Sequence, residues 1–183
     1  MSVLGIIAFI SGTLGVWLTI KQSIFCWPMA LISVVAGGID FYFSRLYGDM
    51  SLQVFYFFAG IYGWFYWNKN KGLNFVASPV PYSWIPILII VTLLQFSLYY
   101  YLLIYFKGAR PLLDAVLTAG SLTTTFMMTK KWIENWLIWV LIDGTYIVLY
   151  ALSDLWLYGA LYLIFAGMAF YGWLSWKKTK LSV

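Results

Sequence analysis

The chain has 183 residues, 63% of them hydrophobic and only 9% charged, with a formal net charge of +5 and a mean hydropathy of +0.87. A water-soluble domain carries about 25% charged residues, so this composition cannot clothe a water-facing surface and reads as an integral membrane protein. His is absent and Cys26 is the only cysteine, which excludes an internal disulfide framework and a Cys/His metal cluster and removes the commonest general base.

The apolar runs are unbroken and about 20 residues long, which points to helices and not to the short alternating strands of a barrel. Seven are predicted in chain order, at roughly 3–20, 27–45, 50–67, 84–106, 112–129, 133–151 and 156–175. Lys21, the first basic residue, follows the first run instead of preceding it, so that run is expected to be a retained helix and not a secretory signal. Cys26 borders the second run, where a small packing residue is expected. "RLYGD" alone separates the second run from the third and predicts a tight turn. "NKNKGLNFVASPVPYS", with Pro79 and Pro81, is the best linker in the chain and leads into the fourth run. The later breaks fall from Lys107 to Arg110, at Lys130-Lys131 and at Ser153-Asp154.

The basic residues lie between the runs, where they set topology instead of binding nucleic acid. With the N-terminus outside, the inner segments hold Lys21, Lys69, Lys71, Lys130, Lys131, Lys177, Lys178 and Lys180. The outer loops then hold only Arg45, Lys107 and Arg110, which completes the eleven basic residues. The positive-inside rule therefore gives N-out and C-in.

Sliding the sequence along itself by 109 positions reveals an ungapped repeat. Tyr62-Gly63-Trp64 falls on Tyr171-Gly172-Trp173, Trp67 on Trp176, Trp27 on Trp136 and Lys21 on Lys130. Leu4, Ser44, Leu46 and Leu52 fall on Leu113, Ser153, Leu155 and Leu161. The implied architecture is an all-α membrane protein of seven transmembrane helices in a 3+1+3 arrangement. Residues 1–67 form the first three-helix repeat, 68–111 the linker and fourth, connecting helix, and 112–183 the second repeat with a cytoplasmic C-terminal tail. One linking span starts both triplets on the same side, so the repeats are parallel, as in the SWEETs, and a substrate is expected near the midplane between them.

Polar side chains inside the hydrocarbon are the candidate site, because each costs several kcal/mol unless it is paired. Asn135, Trp139 and Asp143 recur at four-residue steps and so share one broad helix face about 12 Å long, which Tyr146 and Tyr150 extend. An amide, an indole and a carboxylate on one face suit a flat, polar, cationic ligand. The equivalent positions in the first repeat are Cys26, Ala30 and Val34, so the symmetry breaks at this stripe. Asp143 could instead bond a neighbouring hydroxyl or backbone group. The third helix carries a second stripe of Gln53, Tyr56, Gly60 and Trp64, of which Gln53 must find partners if buried. Asp40, in the second helix beside Ala36 to Gly38, could be a site residue, a proton-relay carboxyl or a partner of Ser33 or Ser44. Asp49, Asp114, Glu134 and Asp154 fall at helix ends as caps or interface charges. Trp64 and Trp173 belong by position to an inner aromatic belt, or close the inner end of a pathway, and the Gly12/Gly15, Gly37/Gly38 and Gly60 positions allow close helix packing. No nucleophile–base pair, phosphate loop, metal site or cofactor site is visible, and no Lys lies within a run. The residues alone thus admit a transporter, a channel and a non-transporting membrane protein.

"LYGDMSLQVFYFFAGIYGWFYW" (46–67), "MTKKWIENWLIWVLID" (128–143) and the closing "ALYLIFAGMAFYGWLSW" resemble the PnuC vitamin-transporter family over nearly the whole chain. The resemblance implies a multi-pass bacterial inner-membrane protein with a SWEET-like fold that assembles as a homotrimer. It implies facilitated diffusion of a vitamin or vitamin precursor, made one-way by a cytoplasmic kinase that phosphorylates the cargo. The expected cargo is nicotinamide riboside, with thiamine as the alternative. The Asn and second Trp of the family's "ENWxxW" carry substrate contact over to Asn135 and Trp139, and the family's glutamine carries it over to Gln53. A proton-coupled version would draw on Asp40 or Asp143.

Overall fold

The structure, a computed structural model, describes residues 2–44, 47–72, 75–107, 110–152 and 156–181. Seven helices follow one another: α1 (Val3–Ile20), α2 (Cys26–Phe43), α3 (Tyr47–Lys69), α4 (Ile85–Tyr105), α5 (Pro111–Thr129), α6 (Asn135–Leu152) and α7 (Trp156–Leu181). A short 3-10 turn, Tyr82–Trp84, leads into α4. Seven helices at these places are what the apolar runs predict. The tight turn expected in "RLYGD" lies partly outside the described residues, and its last three residues, from Tyr47, already belong to α3. The break expected at Ser153-Asp154 lies outside them, as do one or both members of the repeat pairs Ser44/Ser153 and Leu46/Leu155.

Local chemistry sets the helix ends. Gly5 N–H donates to the Ser2 side chain at 2.8 Å, which caps α1. Pro86 and Pro111 sit in the first turns of α4 and α5, where the missing N–H has no intrahelical partner to lose. Asp114 lies in the first turn of α5, an acidic residue at the positive end of the helix dipole. Helices α3 and α7 run beyond their predicted ends to Lys69 and Leu181, because lysine is a good helix former and can extend its charge away from the bilayer.

Among the described residues, five segments are long and apolar enough to cross a bilayer: Val3–Ile20, Cys26–Phe43, Tyr82–Tyr105, Asn135–Leu152 and Gly159–Thr179. Helix α5 is more polar, and its burial explains why: Ser121, Thr123, Thr124 and Thr129 are all buried. Three of its hydroxyls return to the helix itself, Thr124 to Gly120 O at 2.7 Å, Thr125 to Ser121 O at 2.8 Å and Thr129 to Phe126 O at 2.7 Å. Thr123 instead reaches α4, donating to Gln95 Oε1 at 3.0 Å and lying 2.8 Å from Thr92 Oγ1.

The chain divides into two compact units, residues 1–76 and 77–183. In the first, α2 packs against both α1 and α3. Ser33 Oγ bridges to α1 by donating to Ala8 O at 2.7 Å, and a Cβ at Gly12 would lie 2.8 Å from that hydroxyl. In the second unit, each helix packs against the next in the order α4, α5, α6, α7. The segment expected as a linker is held in place there: Ala77 is buried and Ser78 pairs with the turn before α6.

The 109-residue repeat reappears as geometry inside each unit. Gln22 and Lys131, at equivalent positions, both adopt left-handed backbone, with φ of 53° and 54°. The bonds around them match as well: Ser23 N–H donates to Leu18 O at 2.9 Å, and Trp132 N–H to Met127 O at 3.1 Å. Beyond the turn, Trp27 meets Trp67 edge-to-face with ring centroids 5.4 Å apart, and Trp136 meets Trp176 the same way at 5.3 Å. A glycine on the third helix makes room for each ring. A Cβ at Gly63 would fall 2.2 Å from Trp27 Cη2, and one at Gly172 would fall 2.7 Å from Trp136 Cδ2. The "YGWxxW" repeat is therefore a helix-packing lock.

Candidate functional site

Helix α6 opens on Asn135, whose side chain is fully buried at 0% exposure. Its Nδ2 donates to Trp132 O in the preceding turn. Its Oδ1 is buried and has no hydrogen-bond partner among the described residues. One turn further along, Trp139 is half-buried and its Nε1 is likewise buried without a partner. Asp143 follows at 7% exposure, and among the described residues no hydrogen bond or counter-charge meets its carboxyl. The neighbouring hydroxyl that could have taken it, Thr145 Oγ1, donates to Leu141 O at 2.9 Å. The α6 face thus presents an acceptor, a donor and an acid, none of them satisfied by the unit in which they stand. Buried polar groups are nearly always paired, so such a set invites a ligand.

Tyr146 extends the face and carries a cluster. Its ring stacks on that of Tyr162 from α7 at 4.6 Å and 28°, and Tyr150 joins at 5.5 Å from Tyr162. Sequence reading singled out Tyr146 and Tyr150 but missed Tyr162. The repeat could have found it, since 109 positions earlier stands Gln53.

The α3 stripe lies in the first unit. Gln53 and Tyr56 are half-buried, while Trp64 is 43% exposed. Gln53 enters an open groove of about 450 Å³ between α2 and α3, together with Val34, Gly38, Tyr42, Val54 and Phe57. Val34 is the counterpart of Asp143, so the groove has an apolar residue where α6 has its acid. Asp40 does not line this groove. Its carboxylate accepts a hydrogen bond from Ser2 Oγ at the start of α1. That corrects the expected partners: Ser33 is engaged with Ala8 O, and Ser2 reaches Asp40 because the cap of α1 packs beside α2. Among the described residues no group of three or more His, Cys, Asp or Glu could hold a metal ion.

Glu134 also has a role that its position at a helix end did not reveal. Its Oε2 accepts from Val80 N–H at 2.9 Å, which ties the chain before α4 to the start of α6.

Known proteins resemble the chain over nearly its full length. The nicotinamide riboside transporter PnuC of Escherichia coli is 27% identical over 195 residues, covering 91% of this chain and 82% of that one. The PnuC protein of Neisseria mucosa is 24% identical, covering 94% of this chain and 71% of the relative. A crystal structure of the vitamin B3 transporter PnuC shares the fold, with a TM-score of 0.77, 24% identity and coverage of 96% of this chain and 80% of that one. The family described as nicotinamide mononucleotide transporter matches residues 2–178. The chain belongs to that family: it is a multi-pass transporter of a vitamin precursor in the bacterial inner membrane, and not an enzyme.

Proposed function

We propose that the chain carries nicotinamide riboside across the inner membrane by facilitated diffusion, and that cytoplasmic phosphorylation of the cargo makes uptake one-way. The unsatisfied α6 face carries this reading. Asn135 Oδ1 and Trp139 Nε1 are a buried acceptor and donor without partners, which fits a ligand bearing an amide or hydroxyls. Asp143 supplies a buried carboxyl, which a cationic ring would pair with. An unpaired polar group in hydrocarbon costs several kcal/mol, so a ligand that satisfies three at once gains affinity and orientation together. Gln53, Tyr56 and Trp64 on α3, Tyr146 on α6 and Asp40 on α2 are the further residues proposed to contact the substrate. The relatives named as nicotinamide riboside transporters support the choice of cargo.

The proposed setting is a homotrimer, N-out and C-in, in which residues 1–67 and 112–183 act as parallel repeats joined by 68–111. The Lys-rich segments on one side and the repeated Trp locks support that arrangement. A downstream kinase would be its functional partner.

Calorimetric titration of the purified protein with nicotinamide riboside and, separately, thiamine tests the cargo. Tight binding of the riboside, weakened in Asn135→Ala and Trp139→Ala without loss of assembly, is the expected result. Unchanged affinity in both variants would overturn the site. Binding of thiamine alone would replace the cargo and keep the site.

A further inference from the structure

The turn that delivers Asn135 to the site is strapped from outside. Ser78 N–H donates to Lys131 O at 3.0 Å, and Ile133 N–H donates to Ser78 O at 2.9 Å, so the chain forms a parallel bridge between Ser78 and Trp132. Two residues further on, Val80 N–H donates to Glu134 Oε2 at 2.9 Å. Residues 78–80 therefore grip Lys131, Ile133 and Glu134. Trp132, enclosed between them, offers its carbonyl to Asn135 Nδ2. That last bond decides which end of the amide stays free. Nδ2 is engaged by the turn, and Oδ1 is left buried with no partner among the described residues.

The other repeat shows that the turn alone does not need this. Its counterpart has the same left-handed residue and the same backbone bond into the first helix. Yet Phe25 stands in the place of Glu134, 67% exposed, and Cys26 stands in the place of Asn135. A phenyl ring cannot accept a backbone N–H as a carboxylate does. Acid and amide thus occur together in one repeat and are absent together from the other.

We propose that Glu134 and the strap at 78–80 are a positioning device for substrate recognition: they hold the turn so that the Asn135 carbonyl oxygen faces the ligand. Glu134 acts through the backbone and is not itself a substrate contact. The proposal rests on the reading of Asn135 as a ligand contact. A carboxylate accepting a backbone N–H is a charge-assisted bond, and its removal leaves the Val80 N–H in search of a partner. The released turn would let the Asn135 amide rotate, and half its orientations would present a donor where the ligand needs an acceptor.

Glu134 also borders an open groove of about 580 Å³, shared with Pro79, Val80, Tyr82, Thr92 and Thr123, so a direct role toward a cation is the rival. Glu134→Gln separates the two. A glutamine carbonyl still accepts from Val80 N–H but carries no charge.

The test is calorimetric titration of the full-length protein, in detergent, with nicotinamide riboside and with thiamine. The variants are Asn135→Ala, Glu134→Ala, Glu134→Gln and Val80→Pro, each first confirmed as folded by its gel-filtration profile. Glu134→Ala is expected to weaken the bound vitamin about tenfold, the scale of one lost hydrogen bond to a charged group. Glu134→Gln should weaken binding only about threefold, because a neutral acceptor keeps roughly half the strength of a charge-assisted bond. Val80→Pro should match Glu134→Ala, and the double variant should be no weaker than either single one, because both break one linkage. Glu134→Ala at wild-type affinity beside a weakened Asn135→Ala would overturn the positioning role and leave the site intact. Glu134→Gln as weak as Glu134→Ala would overturn it in favour of a charge contact. Asn135→Ala at wild-type affinity would overturn the site itself.

Discussion

In residues 1–76 the ring of Trp27 fills the space that Gly63 leaves open, and in residues 77–183 the ring of Trp136 does the same beside Gly172. At this end of the three-helix groups the two units are built alike, down to the edge-to-face contact with Trp67 or Trp176. Further along the same helices they part. The first unit sets Gly38 beside Gln53, with a Cβ at Gly38 only 3.5 Å from that side chain. The second has Tyr146 and Tyr162 in the places of Gly37 and Gln53, and stacks them. Packing that joins the second helix to the third is demanded of both units and is kept. Beyond that lock the two units carry different side chains, and there the repeat diverges.

The largest expected effect strikes the shared end. Overpacking a tight core commonly costs 1–3 kcal/mol. Gly63→Ala would press a methyl against three atoms of the Trp27 ring at 2.2 to 2.5 Å, and Gly172→Ala against Trp136 at 2.7 to 2.8 Å. We expect losses of about 3 and about 2 kcal/mol respectively, read as lowered thermal unfolding temperatures. Gly167→Ala, whose Cβ would meet nothing within 4 Å, is the matched control and should not fall. Equal temperatures for all three would show that the lock is not a common scaffold.

The α6 stripe, where the first unit has Cys26, Ala30 and Val34, should respond in affinity more than in folding. Asn135→Ala and Trp139→Ala are each expected to weaken ligand binding by about 2 kcal/mol, a factor of about 30. Cys26→Ala, at the counterpart of Asn135, should leave affinity unchanged in the same titration. A comparable loss in Cys26→Ala would make the two units functionally alike and remove the distinction.

Much of this was legible in the sequence, for physical reasons. Unbroken apolar runs fix where helices lie, and the 109-residue offset exposes the lock because tryptophan and glycine leave conspicuous letters. The α6 stripe was legible because amide and carboxylate groups are rare in such runs. The strap was not: the bonds from Ser78 to Lys131 and Ile133 are made by backbone groups, which every residue but proline has in full. Glu134 was read correctly as a residue of a helix end, yet its partner lies 54 positions away. Asp40 was given neighbours from its own helix, whereas the side chain that reaches it is Ser2, 38 positions away. Tyr162 looked like one more aromatic in an apolar helix until its ring was seen against Tyr146.

That ring contact gives a smaller effect. Stacked aromatic pairs contribute about 1 kcal/mol beyond their buried area. Tyr162→Leu should lower stability by about that amount, while Tyr162→Phe keeps the rings and should retain most of it. Unfolding temperatures that rank Phe with Leu would mean that the hydroxyl, and not the stack, distinguishes the second unit here.

The smallest effect belongs to the α4–α5 contact, which has no counterpart in the first unit because α4 is not repeated. Thr92 Oγ1 donates to Leu88 O at 2.7 Å and also lies 2.8 Å from Thr123 Oγ1. Thr123 Oγ1 has a second acceptor in Gln95 Oε1 at 3.0 Å. Each hydroxyl has one proton. With the Thr92 proton on Leu88 O, the Thr123 proton is shared between Thr92 and Gln95. Thr92→Val therefore leaves Thr123 a partner, and the loss should be near the average of about 0.6 kcal/mol for interhelical hydrogen bonds in membranes. Thr123→Val strips Gln95 of its donor and should cost more. If the unfolding temperatures reverse that order, the proton runs the other way, from Thr92 to Thr123, and the polar contact is anchored on α4.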